Sequence, residues 1–452
     1  MLTGAETHAR LESLIGLLLI ILITVSGVYA IPYSSIPAEK IIFAKRVLYV
    51  IVMVLILLWV VVTHHVKAGK RFSIFCAIYG ALLTVNMLIR NEKYPDYIYM
   101  LASIAFVWSL VKYFSDSRAL QKYGSNYLRN SLAVVAVFCL VVVVFCFFKN
   151  EEALSLAVNG FNGNRVNFSI WISQFVFLSF FLLRKDDLLY PMVIVSILIA
   201  AQILSGGRIG LIASLCIATY FIVKRGRNAG MKLGLMVYLS ALVWIFGSYS
   251  PTAAMTLTNV GIGQAEVSKL QDYKQVSIFR SLSVFSMPTS ESQSLAANTH
   301  SYIDRLTSHR LSILGKGVES LDARAALYGK GLGNFKVNLP ERSWSVHNVF
   351  LKIFGELGIP VLLMLILMLA IPIFRAHRSS WQDKAARFMI FVGIGIAMMQ
   401  PQYLVTGLSE CLVFWVCYAW LTSADPDRND RFKLDQGYNN VPEVVDRRIR
   451  LA

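Results

Sequence analysis

A handful of side chains in this 452-residue chain could carry chemistry. His347, in Trp344-Ser345-Val346-His347-Asn348, stands where a long polar stretch meets an apolar run. An imidazole there, with an ordinary pKa of about 6.5, can take a proton from a hydroxyl; it is also readable as a polar residue that opens a helix. Arg208 follows Ser205-Gly206-Gly207 at a helix start, where free backbone N–H groups and a guanidinium together suit an anionic phosphate. The alternative is an arginine reaching to lipid headgroups. Arg280, Arg305 and Arg310 lie in the long polar stretch and offer further guanidinium groups, each also readable as a solvated charge. Glu410, in Gly407-Leu408-Ser409-Glu410, is a carboxylate inside an apolar run, a costly placement that calls for a cavity, a cation or a structural partner.

Other groups invite less. His64, His65 and His377 fall in basic loops, and no two histidines share a helix at metal-binding spacing. All six cysteines lie in apolar runs, without metal-site spacing. Asn348 completes a His-Asn pair followed by nine residues and Gly358. Glu356 lies nine positions after His347, about 900° around a continuous helix, and so on the opposite face. Gly329-Lys330-Gly331-Leu332-Gly333-Asn334-Phe335 has the look of a phosphate cradle, but no parallel strand precedes it. A tight turn carrying Phe335 into a lipid-facing groove is the simpler expectation.

The elements that must position these groups are membrane helices. The chain is 56% hydrophobic and 15% charged, with a mean hydropathy of +0.59, against about 45–50% and 25% for a soluble domain. This excludes an ordinary soluble enzyme and a disordered chain. Stretches of about 17–25 apolar residues occur at Leu14–Ile31, Val47–Val62, Phe72–Leu88, Tyr97–Val111, Ser131–Phe148, Phe168–Leu183, Leu188–Leu204, Ile209–Val223, Leu233–Phe246, Val349–Phe374, Phe388–Met399 and Tyr403–Leu421. The expectation is an all-α polytopic protein of about twelve spans, the first retained rather than cleaved. The Gly358-Pro360 pair predicts a kink in the tenth span.

The formal charge of +17 sits in short loops. Lys67, Lys70, Arg71, Lys112, Arg118, Lys122, Arg129, Lys224, Arg225, Arg227, Lys232, Arg375, Arg378, Lys384 and Arg387 fall in one set of alternate loops and outnumber the basic residues of the other. The positive-inside rule then puts both termini in the cytoplasm. It leaves Arg208 and the stretch 248–346 outside, the latter as a helical lid because bare connectors are rarely so long. The expected organisation is helices in 1–247, the loop at 248–346, helices again in 347–422 and a disordered cytoplasmic tail at 423–452.

Three pieces together resemble the bacterial O-antigen ligase and polymerase superfamily. They are Ser205-Gly206-Gly207-Arg208-Ile209-Gly210, similar to the family's Ser-Arg-Gly helix start; Ser308-His309-Arg310-Leu311 about twenty residues before Gly331-Leu332-Gly333-Asn334-Phe335; and His347-Asn348 with Glu356-Leu357-Gly358-Ile359. Two departures are an extra glycine before Arg208, and Val361 where the family pattern ends in Gly, Thr or Tyr. The resemblance spans Ser205 to about Leu367. It implies a GT-C-like inner-membrane glycosyltransferase with one large periplasmic loop. Such enzymes move a glycan from undecaprenyl diphosphate to a sugar acceptor with inversion, and use neither metal nor cofactor. His347 then matches the residue that deprotonates the acceptor, and Arg208 and Arg310 match arginines that hold the donor diphosphate.

The foremost expectation is an O-antigen ligase acting on lipid A-core in lipopolysaccharide synthesis. A polymerase extending the glycan on undecaprenyl diphosphate, with a second lipid-linked glycan as acceptor, stands beside it. A transporter or lipid flippase is compatible with the helices and Glu410, although no internal repeat is visible. A membrane scaffold also fits the composition.

Overall fold

The computed structural model describes residues 4–25, 38–63, 70–90, 94–116, 132–141, 165–181, 188–205, 207–248, 310–338, 343–346, 348–375, 381–400 and 408–422. These form fifteen helices and one two-stranded hairpin. The helices are α1 Gly4–Val25, α2 Ala38–Thr63, α3 Lys70–Arg90, α4 Tyr94–Asp116, α5 Leu132–Val141, α6 Arg165–Phe181, α7 Leu189–Ser205, α8 Arg208–Arg225, α9 Ala229–Ser248, α10 Arg310–Glu319, α11 Ala323–Tyr328, α12 Val349–Leu357, α13 Ile359–Arg375, α14 Trp381–Ala397 and α15 Leu408–Thr422. The hairpin pairs β1 Lys336–Asn338 with β2 Ser343–Ser345, antiparallel.

Apolar runs become helices because a helix satisfies its own backbone, which lipid cannot do. Windows at Phe43–Val60, Phe72–Ile89 and Ala229–Phe246 are long and apolar enough to cross a membrane, and several shorter helices are equally apolar. Phe43, Leu88, Val193, Leu233 and Val237 stand exposed on the outer surface. A surface this apolar belongs in lipid rather than water.

Side-chain contacts align the helices end to end. Along α2 and α4, Arg46 faces Tyr99, Tyr49 meets Phe106 and Trp59 meets Tyr113, so the two run parallel. Between α3 and α4, Trp108 Nε1 donates to Ser73 Oγ at 3.0 Å and Tyr97 Oη to Asn86 Oδ1. Phe72 of α3 touches Tyr418 near the end of α15. Val413 N of α15 donates to Gln174 Oε1 of α6, and Phe181 meets Trp420, so α6 and α15 run parallel. One end of the bundle therefore gathers Asn86, Tyr97 and the starts of α6 and α15. The other gathers Trp59, Tyr113, Phe181, Arg225, Trp381 and Trp420, with Arg225 stacked 3.9 Å over the Trp381 ring.

Two departures from the sequence pattern matter. The apolar run Val349–Phe374 is two helices rather than one kinked span: Gly358, at φ +86°, stops α12 and α13 starts at once. A Cβ at Gly358 would lie 2.2 Å from the Leu327 carbonyl oxygen, so the break is built for close approach as well as for the left-handed backbone. α1 begins ten residues ahead of the expected Leu14. The described part of the 248–346 stretch holds two short helices and the hairpin, with its own small core of Ile313, Phe335, Val337, Val346 and Leu351.

Candidate functional site

α12 is the element on which the loop meets the bundle. Val349, Ile353 and Leu357, at spacing four, enter the main core. Leu351 and Phe354, on the opposite face, enter the small core of the loop. Its start is set by Asn348, whose side chain accepts from Leu351 N at 2.9 Å as an N-cap. His347 is the residue immediately before that cap and lies outside the described residues. Because α12 begins at Val349, the helical-wheel comparison of His347 with Glu356 does not apply: the two do not share a helix.

The glycine-rich turn is a clamp on α12, and its amides are already occupied. Lys330 N donates to Gly355 O at 2.7 Å, Gly331 N to Glu356 O at 2.9 Å and Gly333 N to Glu356 Oε1 at 2.9 Å. Glu356 is buried, held by an amide rather than offered to solvent. Gly329 at φ +71° puts its Cα against the Glu356 carbonyl, where a Cβ would come within 2.2 Å. The reading of this run as a turn holds, but its outcome differs: Phe335 is packed inside the small core, with Gly355 against its ring, rather than in a lipid-facing groove.

Arg208 stands exposed at the first position of α8. Gly210 lets α8 press onto α6: a Cβ there would lie 2.1 Å from the Ser169 carbonyl carbon. Ser169 Oγ donates to Gly207 O at 2.5 Å, Gln202 Nε2 donates to Ser169 O at 2.6 Å, and Ser205 Oγ donates to Gln202 O at 2.9 Å. Nearby, Gln400 Nε2 donates to Asn167 Oδ1 at 2.9 Å. This buried polar seam fixes the helix break that presents Arg208. It belongs to the start of α6, hence to the bundle end where Asn86 meets α11 and α12.

Of the remaining expected site residues, Arg280 and Arg305 lie outside the described residues. Arg310 opens α10 and Glu410 lies in the first turn of α15, but their side chains are outside what the structure describes. Asn348 is assigned a structural role, as the cap. No cluster of metal-binding side chains occurs among the described residues. A cavity of about 20 Å³ lined by Cys76, Tyr79, Ser103 and Trp415 shares no residue with the expected site.

Sequence reasoning passed over Asn86, Gln174 and Gln202. All three are buried amides in apolar helices and each bonds a different helix. Their signal was there to read, since an uncharged amide inside an apolar run must find a partner. No known family model matches the chain, and no curated protein sequence matches it.

Proposed function

We propose that this protein is a polytopic membrane glycosyltransferase of about twelve spans that moves a glycan from undecaprenyl diphosphate to a sugar hydroxyl at the outer face of the bacterial inner membrane. The favoured acceptor is lipid A-core, making it an O-antigen ligase. His347 acts as the base on the acceptor hydroxyl. Arg208, together with Arg310 and further loop arginines from Arg280 and Arg305, holds the diphosphate.

One observation carries this reading: the helix start that presents Arg208 and the capped helix that follows His347 belong to the same end of the bundle. A guanidinium at that helix start and a base just ahead of α12 suit a donor whose lipid tail lies in the membrane and whose diphosphate lies at its edge. The chemistry needs no nucleotide, because diphosphate is a competent leaving group once fixed guanidinium groups match its growing charge. A positioned base adds about 10²–10⁴-fold.

The polymerase reading shares all of these parts and differs only in the acceptor. Lipopolysaccharide from a deletion strain separates the two. Long unlinked polymer on undecaprenyl diphosphate supports the ligase. Lipid A-core bearing a single repeat unit contradicts it and supports the polymerase.

A further inference from the structure

Asn86, a side chain of a membrane helix, bonds the ends of the last loop helix, α11, and of the junction helix, α12, at once. It sits in α3, 6% exposed, one turn before Arg90. A primary amide is expensive to bury unless both its ends are satisfied. Here they are: Tyr97 Oη donates to Asn86 Oδ1 at 2.5 Å, and Asn86 Nδ2 donates to Tyr328 O at 2.7 Å and to Leu357 O at 3.5 Å.

The two acceptors are informative. Tyr328 and Leu357 are the last residues of α11 and α12. Carbonyls at a helix end lack partners within the helix and carry the negative end of its dipole. One amide, with two N–H bonds, therefore closes two helix ends that the glycine-rich turn has already brought together. The two carbonyls set the sense of the amide: they can only accept, so its hydrogens face them and Oδ1 faces Tyr97, whose O–H donates. The contacts join residues 242 and 271 positions apart, and so tie the loop to the first third of the chain.

We infer that Asn86, its oxygen satisfied by Tyr97, is a positioning residue that locks α11 and α12 onto α3 and thereby sets where the start of α12 stands. α12 is nine residues long, a rod of about 13 Å, held at one end by Asn86 and capped at the other by Asn348 directly after His347. A tilt at its C-terminal end displaces its start. The link to catalysis rests on the role of His347 given under Proposed function; the lock itself does not.

The test uses the full-length protein purified in nanodiscs, with two readouts. Amide hydrogen exchange is followed by mass spectrometry over 323–335 and 349–357, with 165–225 as the internal reference. Transfer from an undecaprenyl-diphosphate-linked glycan is followed kinetically. Asn86→Leu removes the bonds at similar volume. Asn86→Asp turns the donor into a charge facing two carbonyls. Tyr97→Phe removes the donor to Oδ1 while leaving both carbonyl bonds possible, and is the mild variant if either of the others fails to fold.

Exchange is expected to rise about tenfold in the two loop peptides for the Asn86 variants, the loss of one to two buried hydrogen bonds. The rise should be smaller for Tyr97→Phe, with the reference unchanged in every variant. kcat should fall about tenfold with donor KM within twofold. Unchanged exchange, or a rise spread evenly over all helices, overturns the lock; a rise in KM at constant kcat overturns its link to catalysis. If the wild-type protein transfers no glycan, the proposed function fails, and the exchange readout still decides the lock.

Discussion

Replacing Gly210 by alanine probes the packing that presents Arg208. The added Cβ would lie 2.1 Å from the Ser169 carbonyl carbon and 2.2 Å from its oxygen, both backbone atoms that cannot swing aside. Reaching an ordinary contact of about 3.4 Å requires α8 to withdraw from α6 by about 1.3 Å. Overpacking of this kind costs about 1–3 kcal/mol. The same movement stretches the Ser169–Gly207 bond, and a buried polar group left unmet adds about 1–3 kcal/mol. The total is about 2–6 kcal/mol, against roughly 1 kcal/mol gained from replacing a helical glycine by alanine. The control is Gly234→Ala in α9, whose Cβ meets nothing within 4 Å and which should be neutral or slightly stabilising. Reversible denaturant unfolding of the purified protein reads both. Equal stability of Gly210→Ala and Gly234→Ala would refute the close α6–α8 approach and the account of how Arg208 is presented.

Other consequences are simpler to state. Asn348→Ala loses the N-cap of α12 and should cost about 1 kcal/mol in the same unfolding measurement, whereas Asn348→Asp keeps the accepting oxygen and stays near wild type. Glu356→Leu leaves Gly333 N unpaired beside a buried turn, at a cost of about 1–3 kcal/mol, and limited proteolysis at 329–335 should speed up accordingly. Trp381→Leu removes the ring beneath Arg225 and should lower stability by more than burial alone explains, by about 0.5–1 kcal/mol; the excess is read by comparison with Trp381→Leu in an Arg225→Met background. If His347 is the base, transfer should rise with pH through about 6.5, because the neutral imidazole is the active form. His347→Gln should be flat with pH.

The helical content was open to reading because apolar runs leave the backbone few alternatives, and the break at Gly206-Gly207 marks the end of α7 as expected. Composition could not show that Val349–Phe374 is two helices. That depends on Gly358 adopting a positive φ against Leu327, a contact between residues 31 positions apart. The hairpin pairs three residues on each side, too few for an alternating pattern to stand out. Glu356 shows in the sequence only its helical phase relative to His347; that it holds a turn amide depends on Gly333, 23 positions away. Arg208 was visible through its flanking glycines, whereas the Ser169 and Gln202 groups that hold its helix in place carry no local motif. Asn86 shows the same limit: its type announces a need for partners, but only the fold says which helix ends supply them.

The proposed glycan transfer turns on His347, the residue just before the N-cap of α12. Its most direct test is purified protein incubated with undecaprenyl-diphosphate-linked glycan and lipid A-core, with no ion gradient, no nucleotide and a chelator present. Wild-type protein should form glycan-bearing lipid A-core, and His347→Ala should lose at least about 10²-fold of that rate. Full activity of both His347→Ala and Arg208→Ala, or glycan movement that requires a proton gradient and forms no new bond, would contradict it.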